Sequence, residues 1–290
     1  MIGKVIKFYN SFFFVKVEKN LIPCKLRGLL KRDKKIGGAV FPGDFVEISL
    51  LKDNSGVIEK VLPRKSLMTR PAVANVDKII LTFAAAQPDL HPLLLNKFLA
   101  IAEFSKIDEI IVCVNKIDLI SDAKNFLRDY ENLYKIIRVS AVEKKNLDAL
   151  KKILSSGVNI FAGPSGVGKS SILNAIDENL KLKVGKVSEK ILRGKHTTRI
   201  SELIEFGEGF LVDTPGFSAV DLNDAGIDKK NLRDCFKEFK NFAAECKFLY
   251  DCSHSHEPNC GIKIAVENKK IFRERYESYL SMLKELEGLK

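Results

Sequence analysis

Gly163-Pro164-Ser165-Gly166-Val167-Gly168-Lys169-Ser170 has the residue types and spacing G-x-x-x-x-G-K-S, and a second serine, Ser171, follows directly. Such a loop binds polyphosphates. Its glycines let backbone N–H groups converge on the phosphates at a helix N-terminus, the lysine reaches the β- and γ-phosphates, and the serine hydroxyl ligates Mg²⁺. Lys169 and Ser170 take those two roles here. Asn115-Lys116-Ile117-Asp118 adds recognition of a base. A carboxylate at Asp118 accepts from guanine N1–H and the exocyclic amino group, whereas adenine would leave that carboxylate unpaired. Asn115 is placed to brace the loop, the Lys116 stem to cover the base, and Ser140-Ala141 to turn backbone N–H groups toward guanine O6. In Asp213-Thr214-Pro215-Gly216, Asp213 can hold Mg²⁺ through its water shell and Gly216 can donate its N–H to the γ-phosphate. The four segments together specify GTP or GDP with Mg²⁺.

A second chemistry lies near the C-terminus. Cys246, Cys252 and Cys260 with His254 form C-x5-C-x-H-x5-C, a set suited to one closed tetrahedral Zn²⁺ site, and His256 is a rival for the imidazole position. Such a site is structural, because it keeps no open position for a substrate. Cys24 and Cys113 lie in apolar strand patterns and read as core residues, and Cys235 sits in a helical stretch without a nearby ligand set.

The elements that must position these groups follow from hydrophobic periodicity. Five short apolar runs, Val5–Tyr9, Phe12–Val17, Leu21–Leu26, Phe45–Leu50 and Val57–Val61, predict an N-terminal OB-type β-barrel over residues 1–66. Buried-strand runs then alternate with helical stretches over 67–222. The strands are expected at 78–83, 110–114, 136–139, 158–161 and 210–212, and the helices at 93–104, 121–130, 147–154 and 169–176. That alternation predicts a parallel α/β sheet with helices on both faces. Residues 223–290 read as helical segments around the Cys/His cluster, giving a multidomain α/β chain. The order of motifs is unusual, since the guanine segments precede the phosphate loop. The middle domain is therefore expected to be a circularly permuted P-loop GTPase domain.

The chain has 290 residues, room for two or three domains, with 46% hydrophobic and 29% charged residues, which excludes wholesale disorder. The longest apolar stretch, Ile79–Ala86, is interrupted by Thr82 and is too short to span a bilayer, so no membrane helix is expected. The N-terminal segment alternates as a strand rather than a signal peptide, which makes a cytoplasmic location the expectation. The net charge is +11, and residues 1–66 hold 14 Lys and Arg against 6 Asp and Glu. The basic excess thus concentrates in the barrel, as expected of a surface for RNA.

These residues resemble the circularly permuted GTPase family of the ribosome small-subunit-dependent GTPase A. The likeness runs along essentially the whole chain: basic barrel, N-K-I-D, G-P-S-G-V-G-K-S-S, the Gly194–Thr198 segment G-K-H-T-T, D-T-P-G-F and the Cys/His cluster. The resemblance implies a monomeric GTP hydrolase stimulated by the small ribosomal subunit, a late assembly or checkpoint factor that binds ribosomal RNA. It implies Thr198, with Thr197 as fallback, as the threonine that closes on Mg²⁺ and the γ-phosphate. It favours His254 over His256 as the zinc ligand, and its usual cysteine spacing, one residue shorter, places a bulge at 247–251. Many GTPases carry a water-orienting Gln directly after the glycine of this motif, but Phe217 stands there, so intrinsic turnover is expected to be slow. His196 is the internal candidate for orienting water. Gly166 replaces the asparagine linked to potassium activation in some relatives, so no K⁺ site is expected. The second switch lies directly upstream of the zinc domain, from which nucleotide-dependent orientation of that domain is expected.

Overall fold

Alternation of buried and outward residues builds the first element group. Phe13 and Val15 point inward on one strand, flanked by outward Phe12, Phe14 and Lys16, and Val5, Cys24, Val46 and Ile58 complete a core with essentially no exposure. A computed structural model of the chain, describing residues 1–27, 40–69, 71–123, 125, 127–180, 201–213 and 220–288, shows the arrangement. Strands β1 (Ile2–Tyr9), β2 (Phe12–Val17), β3 (Asn20–Leu26), β4 (Phe45–Leu50) and β5 (Gly56–Val61) close a barrel in the order β1-β2-β3-β5-β4. The β3–β5 pair is parallel and the others antiparallel. All five strand runs read from the sequence are present. A short hairpin, β6 (Leu67–Thr69) with β7 (Ala72–Ala74), follows the barrel and was not foreseen.

The second group is a six-stranded sheet among the described residues, ordered β10-β9-β8-β11-β13-β12. Strands β8 (Lys78–Ala84), β9 (Glu109–Asn115), β10 (Lys135–Arg138), β11 (Val158–Ala162) and β13 (Gly209–Asp213) run parallel. Strand β12 (Glu202–Phe206) pairs antiparallel to β13 at one edge, a strand that the expected pattern omitted. Helix α1 (Pro92–Phe104) packs on one face with Ile79, Leu81 and Phe83; α2 (Leu147–Leu154) and α3 (Lys169–Ile176) pack on the other with Ile80, Cys113 and Phe161. Helices cover both faces, as expected.

One expected helix is corrected. Among the described residues of 121–130, turns lead to a 3-10 turn at Arg128–Tyr130. The Asp122 carboxylate accepts from the Asn125 backbone N–H and side-chain amide, a local bond that competes with helix, and Leu127 takes a left-handed φ of 61°.

The C-terminal region consists of short 3-10 turns, then α4 (Gly261–Glu267) and α5 (Arg273–Leu286). Its apolar core is continuous with that of the α1 side of the sheet. A buried polar network crosses the same boundary. The Arg275 guanidinium donates to Glu238 Oε1 and Oε2 at 2.7 and 2.9 Å and to Asn96 Oδ1 on α1 at 3.0 Å. Tyr130 Oη also donates to Asn96 Oδ1 at 3.2 Å, and Asn96 Nδ2 donates to Ser278 Oγ on α5 at 2.8 Å. The charged pair is almost fully enclosed, Arg275 at 1% and Glu238 at 7% exposure. Burial leaves the Cys24 thiol raised to about 11 and those of Cys113 and Cys235 to about 12, consistent with their place in the core.

Candidate functional site

The motif residues converge at the C-terminal ends of parallel strands, where open α/β sheets place ligands. Strand β11 feeds the loop Gly163–Gly168, which enters α3 at Lys169. Two of its glycines are required by close approach. A Cβ on Gly163, at φ 138°, would lie 2.0 Å from the Thr82 carbonyl oxygen, and one on Gly168, at φ 93°, would lie 2.3 Å from Asn115 Nδ2. The Lys169 ammonium folds back over the loop and donates to the carbonyls of Gly163 and Pro164, each at 2.6 Å. Burial pulls its pKa down to about 8. Ser170 is buried in the first turn of α3 and Ser171 follows it, half-buried.

Asn115 joins the base loop to the phosphate loop. Its Nδ2 donates to the Val167 carbonyl at 2.9 Å, and its Oδ1 accepts from the Ala141 N–H at 3.1 Å. One amide therefore connects β9, the Ser140-Ala141 turn after β10, and the phosphate loop. Lys116 adds a second tie, since its ammonium donates to the carbonyls of Gly166, at 2.9 Å, and Gln87. Ser140 is fully buried and its hydroxyl accepts from the Glu143 N–H at 3.0 Å, which fixes the turn. Asp118 is exposed in the 3-10 turn Ile117–Leu119, its carboxylate open to solvent. Pro164, Ser165 and Val167 complete the loop.

The structure thus brings Asn115, Lys116, Asp118, Ser140, Ala141 and residues 163–171 to one end of the sheet. Asp213 ends β13 at that same end. His196, Thr197, Thr198, Gly216 and Phe217 lie outside the described residues. Sequence reasoning missed the β8–α1 loop as part of the site, although Gln87 receives Lys116 and Pro88 is the neighbour a Cβ on Gly166 would meet, at 3.8 Å. The turn-forming string Gln87-Pro88-Asp89 directly after a strand was the available signal.

Lys169 as a phosphate ligand predicts pH-dependent binding. Phosphates favour the ammonium, so the folded-state pKa of about 8 rises when a nucleotide binds, and binding takes up a proton at higher pH. Affinity for GTP should be flat below about pH 7.5 and fall about tenfold by about pH 9. Calorimetric titrations of the wild type and of Lys169→Arg, whose charge does not titrate, check this; equal slopes for the two proteins would contradict it.

The second site fits a metal. The donor atoms of Cys246, Cys252, His254 and Cys260 all lie within 4.8 Å of one another, and all four residues are buried. The Cys246 and Cys260 sulfurs are 3.8 Å apart, and His254 Nδ1 is 3.5 and 3.4 Å from them. A tetrahedral Zn²⁺ with Zn–S of about 2.3 Å and Zn–N of about 2.0–2.1 Å requires S–S near ~3.8 Å and S–N near ~3.5 Å. The donor set is therefore compatible with zinc bound through His254 Nδ1. His256 points elsewhere, exposed and hydrogen-bonded through Nδ1 to Ser255 Oγ at 2.9 Å. Residues 249–251 form a 3-10 turn where the extra residue of the first cysteine spacing was expected to bulge. The Glu257 carboxylate accepts from the backbone N–H groups of Ser253 and Ser255, and Tyr276 and Tyr279 donate to the carbonyls of His254 and Ser253, which fixes the ligand loop.

The comparisons with known proteins decide the family. Residues 61–223 match the RsgA GTPase family and residues 2–58 match the RsgA N-terminal domain. The chain belongs to the RsgA GTPase family. It is 44% identical over 291 residues, 99% of this chain and 97% of the relative, to a Clostridium botulinum (strain 657 / Type Ba4) protein named small ribosomal subunit biogenesis GTPase RsgA. A protein of the same name from Caldanaerobacter subterraneus subsp. tengcongensis is 40% identical over 289 residues, 98% of this chain and 95% of the relative. Among solved structures, YjeQ from Thermotoga maritima superposes with a TM-score of 0.84 at 38% identity, covering 100% of this chain and 99% of that one. YloQ, described as a circularly permuted GTPase, gives 0.80 at 32% identity, covering 99% and 95%. The permuted motif order is thus that of a GTP-hydrolysing family with a circularly permuted member among its solved structures, the barrel matches its N-terminal domain, and Mg²⁺ accompanies GTP in it.

Proposed function

We propose that this GTPase acts in late assembly of the small ribosomal subunit, hydrolysing GTP when the subunit stimulates it and binding ribosomal RNA through its barrel. The amide of Asn115 carries the nucleotide part of this reading, because it ties the guanine turn and the phosphate loop into one cradle. The names of the relatives support the partner. Lys169 holds the β- and γ-phosphates, Ser170 and Thr198 ligate Mg²⁺, Asp213 acts through its water shell, and Gly216 N–H meets the γ-phosphate. Asp118 reads guanine N1–H and the amino group; Ser140 and Ala141 read O6. His196 orients the attacking water once its segment closes. One structural Zn²⁺ is held by Cys246, Cys252, His254 and Cys260. We assign residues 1–66 to the RNA-binding barrel, 67–222 to the GTPase domain and 223–290 to the zinc domain, in a monomeric cytoplasmic protein. Among the described residues no helix is long and apolar enough to cross a membrane.

Chain order supports nucleotide control of the zinc domain, since residues 214–222 lie between β13 and that domain. The Arg275–Glu238–Asn96 network limits what can move. A signal has to act on the segment entering the domain rather than by lifting α5 from α1. Reversing charge at Lys25 and Lys60 on the barrel should weaken co-sedimentation with small subunits and flatten its salt dependence, leaving GTP affinity intact. Lost GTP affinity instead would refute the barrel assignment.

A further inference from the structure

The barrel meets the six-stranded sheet along a seam of lysines, carboxylates and one aromatic ring. Strand β1 lies against β12. Lys7 Nζ donates to Glu202 Oε1 at 2.7 Å, and Lys16 Nζ donates to Glu205 Oε1 at 2.5 Å. The ammonium groups of Lys4 and Lys16 stand 5.2 and 5.5 Å from the centre of the Phe210 ring on β13. The side chains of the two ion pairs keep 33% and 46%, and 27% and 66%, of their exposure, so each pair is weak and screened by salt. The seam differs in kind from the enclosed Arg275–Glu238 pair at the α1–α5 junction.

The lysines of the seam also lie over barrel rings: Lys4 stands 4.7 Å from the Phe45 ring centre and Lys7 stands 5.7 Å from that of Phe14. Cations interleaved with aromatic faces are what single-stranded nucleic acid sites present, with lysines for phosphates and rings for bases. Here the carboxylates of Glu202 and Glu205 accept from two of these lysines, Lys7 and Lys16. We infer that this side of the barrel is a binding surface for single-stranded RNA whose resident occupant is the acidic edge of β12, so that RNA and Glu202 with Glu205 compete for Lys7 and Lys16. The inference rests on the proposed assignment of RNA to the barrel.

Position gives this competition a consequence. Strand β12 begins directly after residues 181–200, which contain His196 and Thr198, and it pairs with β13 from Glu202–Asp213 to Phe206–Gly209. RNA that displaces the β12 edge therefore acts on the strand pair that joins both nucleotide-sensing segments. Linkage makes the effect reciprocal, so nucleotide state alters RNA affinity by the same factor.

The test compares wild type with Glu202→Gln/Glu205→Gln in binding a uridine-rich oligoribonucleotide by fluorescence anisotropy at low and moderate salt. A control, Glu109→Gln/Glu131→Gln, makes the same charge change at β9 and beside β10, toward the opposite edge of the sheet. We expect the seam variant to bind RNA about threefold or more tightly, and the control to stay within about twofold of wild type. A zero-length carbodiimide cross-link between Lys7 and Glu202, read by mass spectrometry, should decline as the oligonucleotide is added to wild type. Equal RNA affinity in all three proteins with an undiminished cross-link overturns the competition and leaves the RNA assignment standing. No binding of the oligonucleotide or of small-subunit RNA at low salt overturns that assignment and the inference with it.

Discussion

Arg275→Met should destabilise the protein by about 3–5 kcal/mol in chemical denaturation, the range for removing one partner of an enclosed ion pair. The guanidinium makes two bonds to Glu238 and one to Asn96, and it is 1% exposed. Its loss strands the Glu238 carboxylate at 7% exposure and takes one partner from Asn96 Oδ1, leaving Tyr130 Oη. The double variant Arg275→Met/Glu238→Leu should recover most of that loss, because an apolar pair of similar volume fills the space without a stranded charge. Additive losses in the double variant would mean that the two residues contribute through packing alone. The location gives the result functional weight. The network joins α1 of the GTPase sheet to α5 of the C-terminal region, so the single variant should also loosen that junction, seen as faster hydrogen exchange in α5 with little change in β1–β5.

Asp118→Asn should lower affinity for GTP about a hundredfold and raise affinity for xanthosine triphosphate. In the proposed site the carboxylate accepts two guanine N–H groups, each a charge-assisted bond of about 1.5–3 kcal/mol. Asparagine keeps one acceptor and turns a donor toward the amino group, which repels guanine and suits the xanthine C2 carbonyl. Asp118 is exposed in a 3-10 turn that the Leu119 N–H closes on the Lys116 carbonyl at 3.0 Å, a backbone bond that does not use the Asp118 side chain. Folding should therefore be unaffected, and the change should appear in nucleotide titrations alone. A variant that loses both nucleotides equally would show that Asp118 supports the loop and does not read the base.

Local pattern made much of this molecule legible. The strands of the barrel and parallel sheet, with α1, α2 and α3, follow from period-2 and period-3.6 repeats, and N-K-I-D, Ser140-Ala141 and the phosphate loop each sit at the strand end that the flanking apolar run implied. The Cys/His spacing likewise located a donor set that the fold gathers. What escaped was one local turn and several long-range contacts. The 121–130 stretch has helical composition, yet Asp122 and the left-handed Leu127 turn it. Lys116 Nζ reaches Gly166 and Gln87, partners far away in sequence that no spacing rule names. The charge count treated every barrel lysine as available to RNA, whereas Lys7 and Lys16 are already paired with β12. The α1–α5 junction was also invisible, because Arg275, Glu238 and Asn96 become one network only when the chain closes.

Control of turnover by the small ribosomal subunit, as proposed, is tested by GTP hydrolysis with and without purified small subunits under single-turnover conditions. Slow hydrolysis by the free protein and stimulation of about a hundredfold or more by the subunit, lost in Lys169→Ala, is the result predicted. An unchanged rate at subunit concentrations that saturate binding would contradict it, and would mark the nucleotide as a structural ligand.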